Sequence, residues 1–202
     1  MEKSASEHHT KPHWVLNWKF TFSLAVIAGI CAIVAAILIL YVSWSAITFN
    51  SASFLSEAQR ILVAEYGNGT ANYTSGVSAA AFIVSLTAAV KNAALLFIPL
   101  AAISGAMLLL TAFYFRSRHR KTVLYGTIFA IIFSMAAVVS ILAVVPISSD
   151  TVATLFGFMG TYSGTDAFLM ALAFGLFMAY IVVGILTAIA GVYRLSLMPE
   201  HQ

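Results

Sequence analysis

Four uninterrupted apolar runs, free of Asp, Glu, Lys, Arg and His, constrain this chain more than any other feature. They cover residues 20–43, 93–115, 123–145 and 167–193. A helix crossing roughly 30 Å of hydrocarbon needs about 20 mostly apolar residues at 1.5 Å rise, and each run has that length. A barrel strand would instead alternate over about ten residues. Only 8% of the 202 residues are charged, against about 25% in a soluble domain, so the chain cannot cover a water-facing surface. The sequence predicts an all-α membrane protein, a four-transmembrane-helix bundle. Its first span follows a polar tail, residues 1–19, and is longer than the roughly 7–15-residue core of a cleavable signal. It reads as a retained anchor.

Orientation follows from the basic residues. Lys3, Lys11 and Lys19 precede span one, Arg116, Arg118, Arg120 and Lys121 crowd the link 116–122, and Arg194 opens the tail 194–202. Only Arg60 and Lys91 fall on the other side. The positive-inside rule then puts both termini in the cytoplasm and the loops 44–92 and 146–166 outside, with the plasma membrane as the expected location. The run Arg116, Arg118, Arg120 and Lys121 is expected to fix topology and to meet anionic lipid headgroups. A formal net charge of +3, thinly scattered, gives no nucleic-acid surface.

The larger outer loop carries two Asn-x-Thr triplets, at Asn68 and Asn72. On the outer side both asparagines are candidate N-glycosylation sites. Residues 51–67 space Phe54, Leu55, Ala58, Leu62 and Tyr66 as an amphipathic helix ended by Gly67. The stretch NGTANYTSG follows as a turn-rich tip. Residues 77–90 are uncharged but too short to span, so they are expected to continue into span two as one helix of about forty residues. Packed together, these helices would form a small extracellular helical cap. The loop 146–166 contains the apolar stretch LFGFM (155–159), which needs cover.

Lipid gives helices no hydrophobic reason to associate, so close backbone approach matters. Small residues recur at four-residue spacing in every span: Ala28, Ala32 and Ala36; Ala101 and Gly105; Gly126, Ala130 and Ser134; Ala171, Gly175 and Ala179. These are the expected packing faces. Pro99 should kink the second span. Trp14, Trp18, Tyr41 and Trp44 flank span one as an aromatic belt does.

No ionisable residue stands within a span, where pumps and coupled carriers place theirs. The sequence has no HExxH, GxSxG, CxxC or phosphate loop. Cys31 is the sole cysteine, and His8, His9 and His13 sit on a polar tail. No catalytic residue, metal site or cofactor is expected. Four spans, cytoplasmic ends and a large first outer loop resemble the plan of claudin-like and MARVEL-type membrane proteins. Claudin-type first loops carry Gly-Leu-Trp with two cysteines, whereas Trp44 stands alone here, so the likeness implies topology and transfers no residue. The expectation is a noncatalytic scaffold, adhesion or organising component that contacts other membrane proteins or itself. Alternatives are an accessory subunit of a respiratory or secretion-type complex, and a channel or carrier without intramembrane charge.

Overall fold

A computed structural model describes residues 18–144 and 164–198. Among them the chain forms five helices: α1 (Trp18–Thr48), α2 (Ser51–Tyr66), α3 (Ala71–Arg116), α4 (Arg120–Val144) and α5 (Thr165–Leu197). Four of these, all but α2, are long and apolar enough to cross a membrane. The protein is an integral membrane protein built on a four-helix bundle. The histidine cluster, Trp14 and the LFGFM stretch lie outside the described residues.

Helix α1 packs against α3 and α5, and α4 packs against the same two, while α3 and α5 face each other across the bundle and meet through long side chains. Neighbouring helices in this ring run antiparallel. Small side chains dominate the interior of three helices, Ala25, Ala28, Ala32, Ala35 and Ala36 on α1, Ala101 and Ala112 on α3, Ala130 and Ala137 on α4, and pack around a few large ones such as Leu108, Phe115 and Tyr180. The large aliphatics point outward, as Ile30, Ile37, Ile103, Ile132, Val182 and Ile189 do. In water that pattern would be unstable. In hydrocarbon it is favoured, because large side chains lose nothing by facing acyl chains and small ones let backbones approach.

Two side-chain caps set the helix boundaries outside the bundle. Asn50 Oδ1 accepts the Ser53 N–H at 3.2 Å and opens α2 just after α1 ends. Thr70 Oγ1 accepts the Tyr73 N–H at 3.2 Å and opens α3 at Ala71. Each satisfies an orphan donor of a first helical turn. The connection is closed by Gly67 (φ 74°) and Gly69 (φ 82°), left-handed conformations that glycine adopts without a Cβ penalty. The turn-rich tip expected over NGTANYTSG is therefore confined to residues 67–70. From Ala71 onward the Thr70 cap turns the same residues into helix. Helix α3 runs unbroken for 46 residues, about 69 Å at 1.5 Å rise. Pro99 lies inside it and removes the N–H that would reach the Leu95 carbonyl.

Helix α2 folds back along the start of α3, forming a two-helix hairpin beyond the bundle. A Cβ built on Gly76 would stand 2.5 Å from Leu62 Cδ2, so the absent side chain makes room for the leucine. Helix α2 buries none of its residues completely. The hairpin is held on one side only.

Candidate functional site

Inside the bundle, each expected packing residue of α1, α3 and α4 lies in the interior. Ala28, Ala32, Ala36, Ala101, Gly105, Gly126, Ala130 and Ser134 are buried. Helix α5 differs. Ala171 and Gly175 are exposed and Ala179 is only half-buried, and a Cβ on Gly175 would meet nothing within 4 Å. The buried face is instead Ala173, Phe177, Tyr180, Gly184, Thr187, Gly191 and Arg194. A residue two positions away is turned by about 200° on a helix, so this face and the expected one are nearly opposite.

Four close contacts organise the interior. Gly29 of α1 and Gly105 of α3 cross with a Cβ on either falling 2.8 Å from the carbonyl oxygen of the other. Gly184 and Gly191 of α5 admit Ser134 and Thr127 of α4, whose hydroxyl oxygens lie 2.7 and 2.6 Å from where each Cβ would be. Tyr180, fully buried, donates its hydroxyl proton to the Phe133 carbonyl at 2.7 Å, joining α5 to α4. Its ring meets Phe177 edge-on, and Phe177 meets Phe97 of α3 in the same manner. Thr111, Thr127 and Thr187 return their hydroxyl protons to carbonyls of their own helices. Among the described residues no group of three or more His, Cys, Asp and Glu side chains comes together.

The two ends of the bundle differ in charge, one cationic and the other of mixed sign. Where α1 begins and α3 ends, the described charges are Lys19, Arg116, Arg118, Arg120, Lys121 and Arg194, all cationic. Glu57, Arg60, Glu65, Lys91 and Asp166 lie on helices at the opposite end. Arg194, which patterning assigns only to the topology count, is buried. Its guanidinium donates to the carbonyl of Phe115 and, at 3.0 Å, to that of Ser117. These carbonyls close α3, so the cation both fills orphan acceptors and meets the negative end of the helix dipole. Arg116 stands 5.9 Å above the Trp18 ring, and Trp18 continues through Phe22 to Phe113 in edge-to-face contacts. Together they clamp the start of α1 to the end of α3. Arg118 and Lys121 are exposed.

Just inside this basic end, an apolar groove of about 330 Å³ opens on the outer surface, lined by Met107, Leu110, Thr111, Phe113 and Tyr114 of α3 and Phe129 of α4. At the far end, the hairpin presents Asn68 in its turn and Asn72 in the first turn of α3, both exposed. Glu57 and Arg60 pair on the exposed face of α2 through contacts of 2.7 and 3.0 Å. The arginine hydrogen bonds hold the Glu57 carboxyl below its usual range. Apolar side chains are exposed on both helices of the hairpin: Ile61 and Val63 on α2, Phe82 and Ile83 on α3.

No family model, no curated protein and no solved structure matches this chain.

Proposed function

We propose that this protein is a noncatalytic scaffold or adhesion component of the plasma membrane, working through the α2–α3 hairpin held outside the cell. The observation that carries this reading is the hairpin itself. Sixteen residues of α2, about 24 Å of helix, run beside α3 beyond the bundle. The two helices leave Phe82 at 55% and Ile83 at 45% exposure on α3 and Ile61 at 49% on α2. Aliphatic and aromatic groups left outward on a water-facing projection mark protein contact surfaces. Both termini lie in the cytoplasm under this reading, because the basic end supplies the positive-inside signal. Glycans on Asn68 and Asn72 would decorate the tip and leave the sides of the hairpin available. A photo-crosslinking amino acid in place of Phe82, in intact cells, tests the reading. Adducts with a second copy or with one defined surface protein support it, and lipid adducts alone contradict it.

A second reading, an accessory subunit of a larger membrane complex, is favoured by α5. Ala171 and Gly175 leave a flat strip on its outer face, with open space where a Cβ would stand. A partner helix could approach closely there. Recovery of a stoichiometric membrane complex in mild detergent, dissolved by Gly175→Ile, would favour this reading. Recovery of self-oligomers indifferent to Gly175→Ile would favour the hairpin.

A further inference from the structure

We infer that the α3–α4 groove at the basic end is a binding site for one anionic phospholipid. An acyl chain would lie between Leu110, Phe113, Tyr114 and Phe129, with the phosphate against Lys121 and Arg118. Two independent features meet here. The first is the groove of about 330 Å³, whose lining is apolar apart from two hydroxyls. Thr111 offers little to a ligand, because its hydroxyl proton is returned to the Leu108 carbonyl at 2.7 Å. A groove of this kind in a membrane protein faces hydrocarbon, so a chain is its natural occupant.

The second feature is the charge directly above it. Lys121, Tyr125 and Phe129 recur at four-residue spacing, which puts them on one face of α4. Lys121 thus stands two turns, about 12 Å, nearer the bundle end than Phe129. Tyr125 is 57% exposed between them, an amphipathic ring at the depth of the glycerol region. The long lysine stem can follow apolar surface while its ammonium reaches the phosphate. Arg118 adds a planar donor fork suited to phosphate oxygens. Two other cations at this end are committed elsewhere: Arg194 to the carbonyls closing α3 and Arg116 to Trp18. No described carboxylate stands at this end to compete for Arg118 or Lys121. The complement to this arrangement is a negatively charged headgroup with an attached chain. A zwitterionic lipid would fill the groove but gain less from the cations.

Native mass spectrometry of the full chain, released from micelles containing equal phosphatidylglycerol and phosphatidylcholine of matched chains, tests this directly. The wild type should retain one phosphatidylglycerol in preference to phosphatidylcholine. R118Q/K121Q, altered only at exposed positions, should lose that preference by tenfold or more, in line with the attraction of each basic residue to an anionic surface. Leu110→Trp, which fills the groove from an outward-facing position, should lose retention of both lipids while circular dichroism stays unchanged. Equal retention of the two lipids by the wild type would overturn the assignment, as would undiminished preference in R118Q/K121Q. Inorganic phosphate should not displace the lipid, and displacement at millimolar phosphate would overturn the role of the chain.

Discussion

Gly29 and Gly105 meet backbone to backbone where α1 crosses α3, each carbonyl oxygen 2.8 Å from where the other residue's Cβ would be. Side chains add to the obstacle, Leu109 Cγ 2.7 Å from a Cβ on Gly29 and Ile33 Cγ1 2.7 Å from one on Gly105, but the main-chain oxygens cannot move aside as a side chain can. Ala32 and Ile33 complete the crossing around Gly105.

Gly29→Ala and Gly105→Ala should each destabilise the bundle. Alanine favours a helix over glycine by up to about 1 kcal/mol, but forcing a methyl into a close-packed crossing costs about 1–3 kcal/mol. The clash wins. Reversible unfolding in mixed micelles should show both variants less stable than the wild type. Gly175→Ala is the matched control, since its Cβ meets nothing. It should be neutral or slightly stabilising, and an equal loss there would mean that α5 is rotated from the position described.

Arg194→Met should loosen the end of α3. Two carbonyls that now accept from the guanidinium, those of Phe115 and Ser117, would lose a charged donor. Buried acceptors left unsatisfied cost about 1–3 kcal/mol. Limited proteolysis of the 117–119 link should therefore accelerate, and Arg194→Lys should recover part of the protection, because an ammonium can still reach one carbonyl.

Tyr180→Phe isolates a single interhelical hydrogen bond. The ring contact with Phe177 persists while the Phe133 carbonyl loses its interhelical donor. Hydrogen bonds between membrane helices average about 0.6 kcal/mol by double-mutant cycles. The expected loss in unfolding free energy is of that order, well below that of the Gly105 variant. A loss as large as the Gly105 one would assign Tyr180 a larger share of the bundle than this single bond can carry.

Expressed in a eukaryotic cell, the wild type should migrate faster on a gel after glycosidase treatment. Asn68→Gln and Asn72→Gln should each reduce that shift, and the double variant should abolish it. Both asparagines are exposed on the hairpin, so access is equal at the folded surface. An unshifted wild type would remove glycans from the account without touching the fold.

The spans were legible because bilayer thickness demands long uncharged runs, and nothing else in the chain resembles them. The amphipathic α2 was legible from Phe54, Leu55, Ala58 and Leu62, and its stop from Gly67. The start of α3 was not, because NYTSG looks like loop until the Thr70 hydroxyl is credited with capping the Tyr73 N–H. The face of α5 was misjudged for a different reason. Ala171, Gly175 and Ala179 follow the small-residue rule, yet so does any outward strip in an alanine-rich helix. The better signal was the 4-3-4-3 spacing of Ala173, Phe177, Tyr180, Gly184, Thr187, Gly191 and Arg194. It runs polar and small groups together into one seam, and it carries the only cation of the helix. Gly29 does not stand out beside Ala28, because one-residue phase differences disappear in a run this uniform. The α3–α4 groove has no sequence signature, since it depends on how outward side chains of two helices lie against each other.

The most direct test of the whole account is the sidedness of two single cysteines. With Cys31→Ser as background, Asn68→Cys and Arg118→Cys would be labelled separately by a membrane-impermeant maleimide in intact cells. The account predicts labelling at position 68 without permeabilisation and at position 118 only after it. Labelling at position 118 in intact cells, or at both positions alike, would contradict the four-span arrangement with its hairpin outside.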